Sequence, residues 1–213
     1  MTSPIISVSG LADLLGQPQL RIVDCRHDLF QPDGGRAAHQ EAHLPGARHL
    51  HLDEDLSGEI IPGQTGRHPL PEMKDFLQLL SREGIGPETT VVAYDDKGGG
   101  IAARLWWMLR AIGHREVYVL DGGFQAWQDA GLTPEEGTVR PPAPGQVYPA
   151  PPSFPGTRGR AQIAALPAGR TLVDSRTAPR YRGEHEPIDP VAGHIPGAVN
   201  YPWPENLTDG KFK

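Results

Sequence analysis

Apolar residues follow two rhythms along this chain. Residues 20–26 (LRIVDCR), 89–96 (TTVVAYDD) and 116–121 (EVYVLD) are short, continuous and rich in β-branched side chains, which predicts strands buried on both faces. Between them the apolar positions recur three and four apart. That spacing predicts helices over 71–84 (PEMKDFLQLLSREG), 101–113 (IAARLWWMLRAIG) and 124–131 (FQAWQDAG), the first with proline near its start and glycine at its stop. Strands alternating with helices predict an α/β fold, a mostly parallel sheet covered by helices on both faces. Trp106 and Trp107, inside the apolar helix, are expected in the core.

The pattern then starts again. Residues 170–176 (RTLVDSR) repeat 20–26, and 192–210 (AGHIPGAVNYPWPENLTDG) repeat 41–58 (EAHLPGARHLHLDEDLSG), at an offset of about 150. That offset is too long for a solenoid and suits a duplicated domain. The stretch between the copies, 133–156, is dense in proline, which opposes regular ladders and favours extended chain. The expected organisation is therefore a first domain over 5–132, a proline-rich linker over 133–156 and the first part of a second domain over 157–213. If the second copy ran as the first does, it would continue for about 70 residues past Lys213, so an incomplete second copy is expected.

Composition narrows the setting more than the chemistry. The chain is 38% hydrophobic and 22% charged with a net charge of −6 and no basic run, which argues against a nucleic-acid partner. No apolar run reaches the length that spans a membrane, and "MTSPIISVSG" lacks the basic start and apolar stretch of a secretory signal. The one cysteine, Cys25, can form no internal disulfide, so a cytoplasmic, reducing location is expected.

The ordered set "IVDCR", "HLPGARHL", "VVAYDDKGGGIAARLWWMLR" and "VYVLDGGFQAW", with two pieces recurring after a proline-rich stretch, resembles the rhodanese family. It resembles in particular the two-domain thiosulfate and 3-mercaptopyruvate sulfurtransferases. The resemblance covers essentially the whole chain and implies tandem rhodanese-like domains. It also implies an enzyme that takes a sulfane sulfur from a small anionic donor onto a cysteine of the second domain and passes it to cyanide or a thiol. The family places that cysteine in a loop between a buried strand and the next helix, where unpaired N–H groups favour an anion. In the first copy this loop is "YDDKGGGIAA", with Asp95 or Asp96 at the cysteine position. A carboxylate suits the electrostatics and carries no sulfur, so the first domain is expected to be silent. The counterpart loop would fall near position 246, so residues 1–213 are expected to hold no catalytic nucleophile and to be inactive by themselves. If the chain truly ends at Lys213, the alternative is a non-catalytic rhodanese-like binding module.

Arg182 in "RYRGEHEP" has no counterpart in the first copy and resembles the family's anion-binding arginine, so it is the expected substrate-binding residue. A surface ion pair with Glu184 or Glu186 is the plainer reading of the same residue. Ile188 stands where some members carry a second such arginine, which weighs against 3-mercaptopyruvate as natural donor. Cys25, at a strand end and matched by Ser175, reads as structural. Asp24 with Arg26, Asp174 with Arg176, and His43 and His194 recur in both copies, one of them silent, and so read as parts of the fold. His49 and His51 near Asp53 and Asp55 read as a solvated strand end; no metal and no organic cofactor is expected.

Overall fold

The computed structural model describes residues 3–146, 148–149 and 151–213, and the chain divides into two compact units, one up to Gly156 and one over Thr157–Lys213. The first unit is built on five strands: β1 (Ile5–Ile6), β2 (Leu20–Asp24), β3 (Arg48–His49), β4 (Thr90–Tyr94) and β5 (Val117–Leu120). They lie in the order β1-β5-β4-β2-β3 with every pairing parallel. The helices are α1 (Val8–Ala12), α2 (Gly34–Glu41), α3 (Met73–Arg82), α4 (Ala102–Ala111) and α5 (Gly123–Asp129). Alternation along the strands separates two faces. Ile22, Val92 and Tyr94 join Leu11 of α1 and Phe124 and Trp127 of α5 in one buried cluster. Val23, Val91 and Ala93 face the other way, and α3 and α4 contribute their buried rows, Met73, Phe76, Leu79 and Leu80, and Ala102, Leu105, Met108 and Leu109.

The three periodic helices and three apolar strands stand where the spacing predicts them. Trp107 does not. It is 37% exposed and stacks on Phe154 at 5.9 Å, and Trp106 is half-buried; the fully buried tryptophan is Trp127. Ten residues of α4 bury only one side, taken by Ala102, Leu105, Met108 and Leu109, and 106 and 107 fall off that stripe.

The proline-rich stretch belongs to the first unit and packs on it. Glu135 exchanges both backbone hydrogen bonds with His43 (2.8 Å each), Arg48 Nη1 donates to Val139 O (2.9 Å), and Gly145 N donates to Ser81 O (2.8 Å). Tyr148 pairs with His114, and Phe154 meets Phe76 at 5.5 Å between ring centroids. Extended chain keeps its backbone groups available, so a run that cannot form a ladder of its own can still be bonded down onto a neighbour.

The second unit holds α6 (Arg160–Ala164), β6 (Val173–Asp174), α7 (Ala178–Arg182), β7 (Val199–Asn200) and a short hairpin of β8 (Leu207–Thr208) with β9 (Lys211–Phe212). β6 and β7 pair in parallel, Val173 with Val199 and Asp174 with Asn200. Among its described residues Ala198 alone is a buried apolar side chain, while Val173, Ile195, Val199 and Tyr201 are exposed. No helix of the described residues is long and apolar enough to cross a membrane.

Candidate functional site

The site lies at the carboxyl ends of β2 and β4. β4 delivers Asp95 to a loop that turns directly into α4, and its side chain is fully buried. Oδ1 accepts from the backbone N–H of Lys97 and Gly99, and Oδ2 from those of Ile101 and Ala102, all at 2.8 Å. Two of these donors open α4, where the helix has no partners of its own for them. The other two are aimed inward by left-handed backbone at Gly98 (φ 72°) and Gly99 (φ 84°). The loop is closed from behind by Gly123, where a Cβ would meet Asp95 O at 2.1 Å, while Phe124 N donates to that oxygen at 3.0 Å. Of the two aspartates of the loop, Asp95 turns inward and Asp96 is exposed. The result is a cradle for one compact negative charge, filled by the chain's own carboxylate.

Beside it, the end of β2 carries a buried ion pair. Arg26 holds both oxygens of Asp24 through Nε (3.0 Å each) and Nη2 (2.6 Å), and its backbone N–H also donates to Oδ1. Asp24 Oδ2 accepts from Tyr94 Oη (2.8 Å) and bonds His39 Nδ1 (3.0 Å), while Arg26 Nη2 reaches Ala42 O (2.5 Å) and its guanidinium lies 4.2 Å over the Phe124 ring. Burial works to raise the Asp24 pKa, but the hydrogen bonds of His39 and Arg26 and the Arg26 charge outweigh it and hold it at about 2. Every lone pair of the carboxylate is used, which makes a desolvated pair tolerable. Cys25, between these residues, is fully buried; burial first, then the charges of Asp95, Asp24 and Asp55, push its thiol pKa well up. Such a thiol is a poor nucleophile.

The second unit repeats the ion pair bond for bond. Arg176 holds Asp174 through N (2.9 Å), Nε (3.0 and 3.1 Å) and Nη2 (2.5 Å), and Nη2 reaches Gly193 O (2.6 Å). His43 Nδ1 donates to His39 O and His194 Nδ1 to Tyr181 O, both at 2.7 Å, each closing a carbonyl in the last turn of a short helix. The recurring histidines are thus tied into the fold. Tyr181, where the first unit has His39, stacks on His194 as His39 stacks on His43.

Arg182 is half-exposed and its fork is closed on Glu184, Nε to Oε1 at 2.7 Å and Nη2 to Oε2 at 2.8 Å. The better-covered guanidinium is Arg180, which the sequence did not single out; it binds Glu186 (2.8 Å) and Asp189 (2.6 Å), and Arg176 reaches the same Glu186 at 3.4 Å. Six imidazoles gather at the same end of the first unit, His43, His39, His49, His51, His27 and His68, each within 6.4 Å of the next between centroids. His27, His49 and His68 have pKa values lowered first of all by burial. Sequence spacing pointed only to His49 and His51, because His27, His39 and His68 come from three separate elements.

A family model described as the rhodanese-like domain matches residues 7–130. A probable 3-mercaptopyruvate sulfurtransferase of Pseudomonas aeruginosa is 42% identical over 99% of this chain and 75% of its own length. A putative thiosulfate sulfurtransferase of Mycobacterium tuberculosis is 40% identical over 96% of this chain and 72% of its own. The solved 3-mercaptopyruvate sulfurtransferase from Leishmania major superposes with a TM-score of 0.85 at 33% identity, over 98% of this chain and 57% of that one.

Proposed function

The chain belongs to the rhodanese family, and from that premise we propose that it serves sulfur transfer, with the first unit as a silent scaffold and the chemistry in the second of two tandem rhodanese-like domains. The observation that carries this reading is the cradle around Asp95, four N–H groups at a strand-to-helix turn stabilising one negative charge. A thiolate or a persulfide in such a cradle would be stabilised in the same way, whereas a carboxylate can bind no sulfur. The recurrence of the Asp–Arg pair supports a second domain laid out like the first.

On this reading the counterpart of Asp95, near position 246, is a cysteine. Its thiolate attacks the outer sulfur of thiosulfate; the new S–S bond forms as the old one breaks, and sulfite leaves with the electron pair. Cyanide or a thiolate then attacks the outer persulfide sulfur and the cysteine thiolate leaves, so no net oxidant is needed. 3-Mercaptopyruvate can supply the same sulfur: the thiolate attacks its sulfur, the C–S bond breaks, and pyruvate leaves as its enolate, which takes up a proton. Arg182 would exchange Glu184 for the donor's carboxylate or sulfonate, both partners being half-exposed. Arg182→Ala is then expected to weaken donor binding by about 10- to 100-fold, from loss of a charge-assisted contact, and to leave transfer from a preformed persulfide intact.

The test is thiocyanate formation from thiosulfate or 3-mercaptopyruvate with cyanide, together with mass spectrometry of trapped persulfide. Residues 1–213, whose one thiol is buried, are expected to give neither. A chain continued to the full length of the relatives is expected to give both, with the sulfur on the loop cysteine. Persulfide on Cys25 would overturn the assignment, and an inert full-length chain would leave the binding-module reading.

A further inference from the structure

The geometry points to a zinc-type divalent metal site in the first unit formed by His27, Asp53 and His68, independent of sulfur transfer. One ligand atom from each lies within 4.8 Å of the other two. His68 Nε2 stands 2.9 Å from Asp53 Oδ1, and His27 Nε2 stands 3.7 Å from Asp53 Oδ2. Ligands held 2.0–2.1 Å from a tetrahedral zinc are about 3.3 Å apart, and the two separations, which run to different oxygens of Asp53, each lie within about 0.4 Å of that value. Two imidazoles and a carboxylate are a donor set zinc favours, and three ligands leave the fourth position to water.

His27 makes the case specific. Its side chain is 1% exposed, yet Nδ1 has no hydrogen-bond partner and Nε2 is too far from Asp53 for one. Nδ1 is the buried atom left without a partner, and Nε2, which faces Asp53 beyond hydrogen-bond distance, is uncommitted, so a metal on Nε2 would displace no existing bond. The neighbouring triad of Asp33, His51 and Glu54 is a weaker rival. His51 Nε2 donates to Pro32 O (2.9 Å), and Nδ1 accepts from the backbone of Asp53 (3.2 Å) and Glu54 (3.4 Å), so both its nitrogens are spent. Those bonds shape the turn that presents Asp53, and the His51 ring meets the His27 ring edge-on at 5.0 Å. His51 is thus a positioning residue for the site. Of the charged groups nearby, Asp53 and Asp28 favour a cation beside His27, while Arg67 and Arg104 oppose one beside His68. The affinity is therefore set by coordination geometry rather than by net charge. The sequence set Asp53 beside His49 and His51; the fold sets it against His27, from the end of β2, and His68, from the loop before α3. An ion there would pin that loop to the sheet.

The test uses tag-free, chelator-stripped protein titrated with Zn²⁺ by calorimetry and with Co²⁺ by visible absorption. One ion per chain is expected, with the intense d–d bands of a four-coordinate cobalt site. Melting should rise by about 5–10 °C when free zinc is about 100 times Kd. His68→Ala and Asp53→Asn, on exposed or half-exposed loop positions that do not threaten folding, should each weaken binding by at least about 10-fold, and Glu54→Gln should leave it unchanged. Absence of uptake by the unaltered chain, or uptake indifferent to both His68→Ala and Asp53→Asn, overturns the site.

Discussion

At Cys25 the backbone N–H donates to Tyr94 O at 2.7 Å and the side chain is enclosed on all sides, with three carboxylates near enough to disfavour a thiolate. A thiol reagent should therefore label the folded protein slowly and the denatured protein at once; rapid labelling of folded chain would contradict the burial. Cys25→Ser, although close to isosteric, buries a more polar hydroxyl in a fully enclosed position, and should cost about 1–3 kcal/mol in a urea titration. The matching Ser175 of the second unit is exposed and bears no such cost. Asp24 sets a pH dependence at the same scale. Its carboxyl is held at about 2, against an ordinary 3.8, so the charged form favours the fold. The contribution, about 2 kcal/mol, is complete above about pH 4 and is lost as pH falls through 2. Stability of the unaltered chain should drop across that window while Asp24→Asn, weaker at pH 7, drops less, so the gap between them narrows in acid. A gap constant from pH 7 to 2 would show that the pair does not act through its charge.

Among the elements, α4 depends on a residue outside it. Its first N–H groups and the loop before it converge on Asp95, so Asp95→Ala leaves four donors without their acceptor, two of them buried. A loss of about 2–4 kcal/mol is expected from the denaturation midpoint; a change below about 0.5 kcal/mol, the scale of a surface substitution, would mean that water serves the loop equally well. This loop was legible in the sequence because strand, glycines and apolar helix lie in one continuous run. So were α3, β4 and β5, where period and length agree. β1 and β3, two residues each, are too short to carry a period, and α2, opening on two glycines, carries little helix propensity. With α2 went His39, which completes the Asp24 network and has no signature of its own. The outward face of Trp107 was hidden for a different reason: its cover, Phe154, lies 47 residues on.

For the molecule as a whole, the repeat of about 150 residues read from the sequence reappears as equal hydrogen bonds at Asp24 and Asp174, because a pair two residues apart is local and survives any change in what surrounds it. The behaviour of 133–156 was not legible, since proline content reports the conformation of a stretch and says nothing about what it lies against. Its attachment has a consequence for digestion. A protease needs chain it can pull into its own cleft, and composition would send it to the prolines. Yet Tyr148 and Phe154 are 6% and 5% exposed, while Ile60, on the loop after the first HLPGA turn, is 55% exposed. Thermolysin, which cuts before bulky apolar residues, should open the first unit before Ile60 while leaving 139–154 intact. The two pieces should then stay together through gel filtration, because the pairing of β1 with β5 and of β2 with β4, and the Arg48–Val139 bond, join residues on either side of the cut.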